Sequence, residues 1–162
     1  MVFLKKVLFI ASTGGHLDEM LQLSPMFSNY DYRIVTEKTK SNLGLKKKYN
    51  NRVSYLLYGS YTGILNKLIY PFKLGINTIK SLFIYIRFRP EYIVSTGAHT
   101  SGPMCLIGHL FGSKVIFIET FANSNSKSVT GKIVYKFADL FIVQWESMLE
   151  LYPKAIYGGW IF

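Results

Sequence analysis

The sequence predicts a doubly wound, Rossmann-like α/β fold with a mainly parallel sheet of six to seven strands. Three observations support this. Short β-branched and aromatic runs recur at 7–11, 32–36, 53–58, 92–94, 115–118 and 140–143. Most are separated by stretches suited to helices, and such alternation builds parallel sheets covered on both faces. The runs are nearly continuously apolar, as strands buried on both sides must be.

The first run, 7–11, follows Lys5 and Lys6 and superficially looks like the start of a secretory signal. Five apolar residues are too few for a signal core or a membrane span, so it reads as the first strand. The polar turn Ser12-Thr13-Gly14-Gly15-His16 follows it at once. A helix suits 16–27, with Asp18 and Glu19 complementing the dipole in its first turn. Strands over 32–36 and 53–58 flank a lysine-rich stretch of weaker helical pattern. Pro71 favours a first-turn position, so a helix is predicted over 71–88. The strand at 92–94 leads into a second small-residue turn, Ser95-Thr96-Gly97-Ala98-His99-Thr100-Ser101-Gly102-Pro103, and a helix over 101–111. The strand at 115–118 closes on Glu119-Thr120, the polar loop 123–128 reads as a lid, and a helix over 129–138 precedes the last strand. Beyond that strand, Trp145-Glu146 is placed to support a partner surface.

Topology brings the two turns together. In the common order 3-2-1-4-5-6, strands 1 and 4 are neighbours and the winding reverses between them, which is where open α/β sheets bind ligands. Small residues at a strand-to-helix turn leave backbone N–H groups unblocked at the positive end of a helix, a setting for phosphates. The candidate binding residues are therefore Ser12, Thr13, Gly14 and Gly15 in one turn and Gly97, His99, Thr100, Ser101 and Gly102 in the other. His16 opens the first helix, where a neutral imidazole is favoured. It can accept a proton from a substrate hydroxyl, bond a phosphate, or cap the helix. Glu119 can bind sugar hydroxyls or set its loop.

Other chemistries are disfavoured. The glycine spacing is not G-x-G-x-x-G, so Glu37 after the second strand, though it could pass for a ribose-binding carboxylate, does not mark a dinucleotide site. No Gly-Lys-Ser/Thr follows either turn. His16, His99, His109 and Cys105 lack metal-ligand spacing, so neither a metal nor a cofactor is expected. Cys105, the single cysteine, reads as a buried structural thiol, and His109 as a packing residue.

At 162 residues, 49% hydrophobic, the chain reads as one domain with a proper core. Its net charge of +10 is concentrated: from Lys38 to Arg89 there are eleven Lys or Arg and no acid. Within the predicted helix Lys73, Lys80 and Arg87 are seven apart and fall within about 40° of one another. Many aliphatic and aromatic residues surround them. Three central charges, at about 2.5–3.5 kcal/mol each, argue against a membrane span. A helix lying on an anionic membrane surface fits the basic, apolar region 61–89, with Lys67, Lys73, Lys80, Arg87 and Arg89 meeting headgroups. Nucleic-acid binding is disfavoured by the stripe's apolar neighbours and the lack of a recognition motif.

Ser12-Thr13-Gly14-Gly15-His16, the turn from Ser95 to Pro103, and Ile118-Glu119-Thr120 near Asn123 give the chain a family resemblance. It resembles the N-terminal half of two-lobed (GT-B) nucleotide-sugar glycosyltransferases of the MurG type. It is more similar to the separate N-terminal subunits of split transferases: the accessory subunit of the dolichol-linked N-acetylglucosamine transferase and PssD-like capsule and exopolysaccharide proteins. The resemblance implies a single GT-B N-terminal lobe that presents a polyprenyl-diphosphate sugar acceptor at the cytoplasmic face of the membrane. A C-terminal-lobe partner subunit would bind the UDP-sugar, a UDP-hexose such as UDP-galactose. It also implies that His16 is the candidate base. A purely non-catalytic membrane scaffold for the partner is the alternative.

Overall fold

The computed structural model describes residues 4–59 and 64–161, apart from the side chains of residues 64, 65 and 67. Residues 61–63 of the basic region and the side chain of Lys67 therefore lie outside the described residues. Seven strands form one sheet: β1 (Lys6–Ala11), β2 (Asp31–Glu37), β3 (Val53–Leu56), β4 (Tyr92–Gly97), β5 (Lys114–Ile118), β6 (Leu140–Val143) and β7 (Ile156–Tyr157). Their order is β3-β2-β1-β4-β5-β6-β7 and every pairing is parallel. β1 is an interior strand, Val7 lying between Tyr32 of β2 and Tyr92 of β4. The short β7 extends the six predicted strands by one.

Period-2 alternation sends side chains to both faces. Leu8, Ile10, Val35, Ile93, Val115 and Phe117 join one buried cluster, with Tyr85, Met104 and Tyr152. Val7, Phe9, Ala11, Ile34, Val94 and Ile118 join the other, with Leu17, Met20 and Phe27. Both faces of the sheet are thus dry, as the continuous apolar runs require.

The helices are α1 (Gly15–Gln22), α2 (Leu45–Lys48), α3 (Ile64–Phe88), α4 (Ser101–Leu110) and α5 (Val129–Val134). α1 stops short of the predicted 16–27 because Pro25 enters a 3-10 turn over Ser24–Asn29. α5 also ends earlier than the predicted 129–138. The largest correction concerns α3. Its 25 residues begin well before Pro71, which sits inside the helix rather than in its first turn. The missing N–H there removes one backbone bond on a solvent-facing turn, a loss that a long helix tolerates.

The inward face of α3 mixes Tyr85 and Phe88 of the core with buried polar residues. Asn77 and Ser81 are buried, and the Asn77 amide bonds both the N–H (2.8 Å) and the C=O (2.9 Å) of Leu57 beyond β3. Outward point Leu68, Phe72, Ile76, Ile79, Phe83 and Ile86, with Phe72 75% and Phe83 68% exposed. At about 100° per residue these occupy one stripe, and Lys73, Lys80 and Arg87 run along one margin of it. α4 packs between α3 and α5, adding exposed Leu106, Leu110 and Phe111, while α5 adds Val129 and Ile133. Arg89 follows α3 in the left-handed conformation (φ 51°), ending the helix. Among the described residues, no helix is long and apolar enough to cross a membrane.

Candidate functional site

The strand order places both small-residue turns at the carboxyl end of adjacent strands, and they touch. The Ser12 N–H donates to Gly97 O (2.9 Å), and Thr96 Oγ1 donates to His16 O (2.6 Å). His16 Nδ1 lies 2.9 Å from Thr96 O. A carbonyl only accepts, so Nδ1 carries the proton and Nε2 keeps its lone pair. Gly97 makes this approach possible. Its φ is 95°, and a Cβ there would stand 3.3 Å from His16 Nδ1.

His16 and His99 line an open cavity of ≈ 330 Å³ with Ala98, Thr120, Asn123 and Val129. No side chain caps α1, and its exposed start at Gly14 and Gly15 leaves first-turn N–H groups facing out. Leu17 and Asp18 N–H groups turn back to Gly14 O, closing the first helical bonds. This end of the site suits an anion at the open N–H groups, and the His16 Nε2 lone pair suits a hydroxyl.

The other expected residues build the frame rather than the surface. Ser12, Thr100 and Ser101 are buried. Thr13 N–H donates to Glu37 Oε2 (3.3 Å) and Thr100 Oγ1 to Glu37 Oε1 (2.6 Å), while Ser101 Oγ donates to Ala98 O (2.7 Å). Gly102 lies in α4 against Thr130. Glu119 is 2% exposed and absent from the cavity lining. Its carboxylate accepts from Tyr152 Oη (2.7 Å), Ser128 Oγ (3.0 Å) and Thr120 N–H (3.0 Å). Of its two expected roles, the geometry gives it loop setting and not contact with a sugar. Burial and the Glu119 carboxylate together hold the Tyr152 phenol well above its ordinary range.

Glu19 is a further correction. It does not merely complement the dipole: it is buried and accepts from Thr120 Oγ1 (2.8 Å) and Phe121 N–H (2.9 Å), tying the loop after β5 to α1. Burial raises its pKa, and the two hydrogen bonds only partly oppose this. A carboxyl raised on folding lends stability at acid pH that is lost as pH rises through the folded value. Glu19→Gln is therefore expected to match wild type near pH 4 and to gain relative Tm towards pH 8, read by thermal melts across that range.

The cavity residues not named as binding candidates are Ala98, Thr120 and Asn123, which lie within the quoted motifs, and Ala122, Ser128, Val129 and Thr130. The polar loop 123–128 carried a signal for two of them. As a sequence feature Glu37 resembles only a ribose ligand, and its buried setting beneath both turns has no local signature. Cys105 is buried, its thiol pushed up to about 12, as an inert structural thiol should be. His109 rests against the Phe137 ring.

Comparison with known proteins adds to this geometry. The family described as "Oligosaccharide biosynthesis protein Alg14 like" matches residues 63–161. The UDP-N-acetylglucosamine transferase subunit ALG14 of Mus musculus is 28% identical over 179 residues, covering 95% of this chain and 82% of the mouse protein. The Kluyveromyces lactis subunit of the same name is 29% identical, covering 94% and 77%. Among solved structures, Acinetobacter baumannii MurG aligns with a TM-score of 0.66 at 20% identity, over 86% of this chain and 41% of MurG. The UDP-N-acetylglucosamine 2-epimerase of Rickettsia bellii aligns at 0.69 and 14%, over 98% and 45%. These two share the fold, and this chain spans less than half of either.

Proposed function

This chain belongs to the Alg14-like oligosaccharide biosynthesis family, and we propose that it is the accessory, acceptor-binding subunit of a two-subunit UDP-sugar glycosyltransferase. The observation that carries this reading is the imidazole of His16, locked as a proton acceptor beside two touching turns at the sheet's switch point. The relatives named as transferase subunits give that geometry its reaction class.

The acceptor is a polyprenyl-diphosphate sugar. Its diphosphate meets the open N–H groups at the start of α1, and its sugar enters the cavity. The reacting hydroxyl yields its proton to Nε2 of His16 as its oxygen bonds the anomeric carbon of the donor sugar. The bond from that carbon to the nucleotide diphosphate breaks as the new one forms, and its electron pair leaves with UDP. A partner resembling the C-terminal lobe of a GT-B enzyme brings the UDP-sugar to the open side of the crevice. The exposed apolar stripe of α3, with Lys73, Lys80 and Arg87 on its margin and Arg89 at its end, rests on the cytoplasmic leaflet. The product is a capsular or exopolysaccharide precursor, as for the PssD-like proteins the sequence resembles.

The outward face of α3 also favours a second reading, in which the chain only recruits the catalytic partner to the membrane. Both readings require two chains. Co-expression with a donor-lobe partner should give transfer from a UDP-sugar panel to a short-chain isoprenyl-diphosphate sugar, with neither chain active alone. Full-rate turnover by this chain without a partner would overturn the two-subunit reading.

A further inference from the structure

We infer that Glu37 is a positioning residue for His99, and that His99 receives a sugar hydroxyl in the cavity through Nδ1. The identity of the sugar rests on the function proposed above, whereas the pairing of the two side chains does not.

Glu37 ends β2 and is 1% exposed. A buried carboxylate must find donors, and these come from three separate loops. Thr13 N–H follows β1 (3.3 Å), Thr100 Oγ1 follows β4 (2.6 Å), and Gly59 N–H follows β3 (3.3 Å). One side chain thus binds together the segments that surround the crevice. Among the described residues, no Lys or Arg pairs with it; the titratable side chain at ion-pair range is His99, whose Nε2 lies 4.0 Å from Oε1.

His99 has a divided environment. Its Nε2 is closed to solvent and, among the described residues, has no hydrogen-bond partner, yet its side chain is 40% exposed and lines the cavity. The exposed part of the ring is therefore the part away from Nε2. The neighbouring Thr100 hydroxyl is bonded to the same carboxylate oxygen, which fixes the backbone next to His99. Closing that gap would pair the unpartnered ring nitrogen with the carboxylate. Because a carboxylate accepts, Nε2 must then bear the hydrogen, and Nδ1 is left with a lone pair.

The consequence lies in the pair of histidines. His16 has its rear nitrogen, Nδ1, donating to Thr96 O and offers Nε2. His99 has its rear nitrogen, Nε2, facing Glu37 and offers Nδ1. In their neutral tautomers the two imidazoles turn lone pairs into one cavity. Lone pairs repel phosphate oxygens and accept from hydroxyls. The ligand they suit is a polyhydroxylated ring, with one hydroxyl on His16 and a second held by His99, while the anion lies at the start of α1.

The tautomers can be read in long-range 1H–15N correlation spectra of the whole chain. Wild type should show His99 protonated on Nε2 and His16 on Nδ1, and Glu37→Gln should mix or invert the His99 tautomer while leaving His16 unchanged. His99 protonated on Nδ1 in wild type overturns the inference even if Glu37→Gln does not fold, as does a His99 tautomer indifferent to Glu37→Gln. The sugar contact is tested by titrating a short-chain isoprenyl-diphosphate N-acetylglucosamine into the isolated chain and following the ring resonances. His99→Ala should weaken its binding about tenfold, and His99→Asn, which keeps a polar atom near the Nδ1 position, should recover most of that. Equal loss in both variants, or no binding to wild type, overturns the sugar contact. Failure of transfer in the co-expressed pair, with both signatures present, would count against the proposed reaction alone.

Discussion

Replacing His16 with alanine is expected to lower kcat of the two-chain transfer reaction about a hundredfold or more, the usual contribution of a positioned general base. The expectation follows from the locked tautomer: Nδ1 donates to Thr96 O, so Nε2 is the ring nitrogen able to take a proton. Removing the ring deletes one hydrogen bond at the edge of the site, worth about 1 kcal/mol, so the fold and membrane binding should persist. Transfer assays of the reconstituted pair, with a thermal melt of each variant, separate chemistry from stability. Unchanged kcat would sink the shared-site reading and leave the scaffold reading standing. An unfolded variant is not expected, because Thr96 Oγ1 to His16 O, the other bond at this contact, uses the backbone.

The double substitution Phe72→Asp with Phe83→Asp is expected to reduce partition onto anionic liposomes about a hundredfold or more. Each phenylalanine withdrawn from water contributes about 1.5–3 kcal/mol, and a tenfold change in binding corresponds to about 1.4 kcal/mol. Both rings stand outside the core, so melting temperature should barely move. Neutralising Lys73, Lys80 and Arg87 should cost less per residue, about 1 kcal/mol each, and that portion should fade as salt is raised. Flotation in low and high salt distinguishes the two contributions. A double variant that floats like wild type would mean that the stripe faces something other than lipid.

The adjacency of the two turns was legible because strand order follows from winding rules and needs no side-chain detail. The apolar runs of β1, β4 and β5 made that winding readable. Glu37 was not legible in the same way. Its three donors belong to residues 13, 59 and 100, and only the closed sheet brings those positions to one point. Glu19 misled for a related reason. An acid in a first helical turn has a sufficient local explanation, and nothing local announces that Thr120 and Phe121 will cover it. In α3 the lysine stripe was visible from spacing, but the inward face was not. Asn77 and Ser81 look like solvent residues until Asn77 is seen completing the backbone bonds of Leu57. Glu119, Thr100 and Ser101 show the limit of reading a motif as a surface: small polar residues beside a site can be its masonry.

The frame around Glu119 has a bearing on how such chains diverge. A methyl group at Gly131 would collide with Glu119 Oε2 and come within 2.7 Å of both Ser128 Oγ and Tyr152 Oη. Those three oxygens converge on a spot that the backbone of α5 leaves vacant. A larger residue at 131 therefore requires all three of these oxygens to shift. Positions 119, 128, 131 and 152 are sterically coupled, so a change at one constrains what the others can hold.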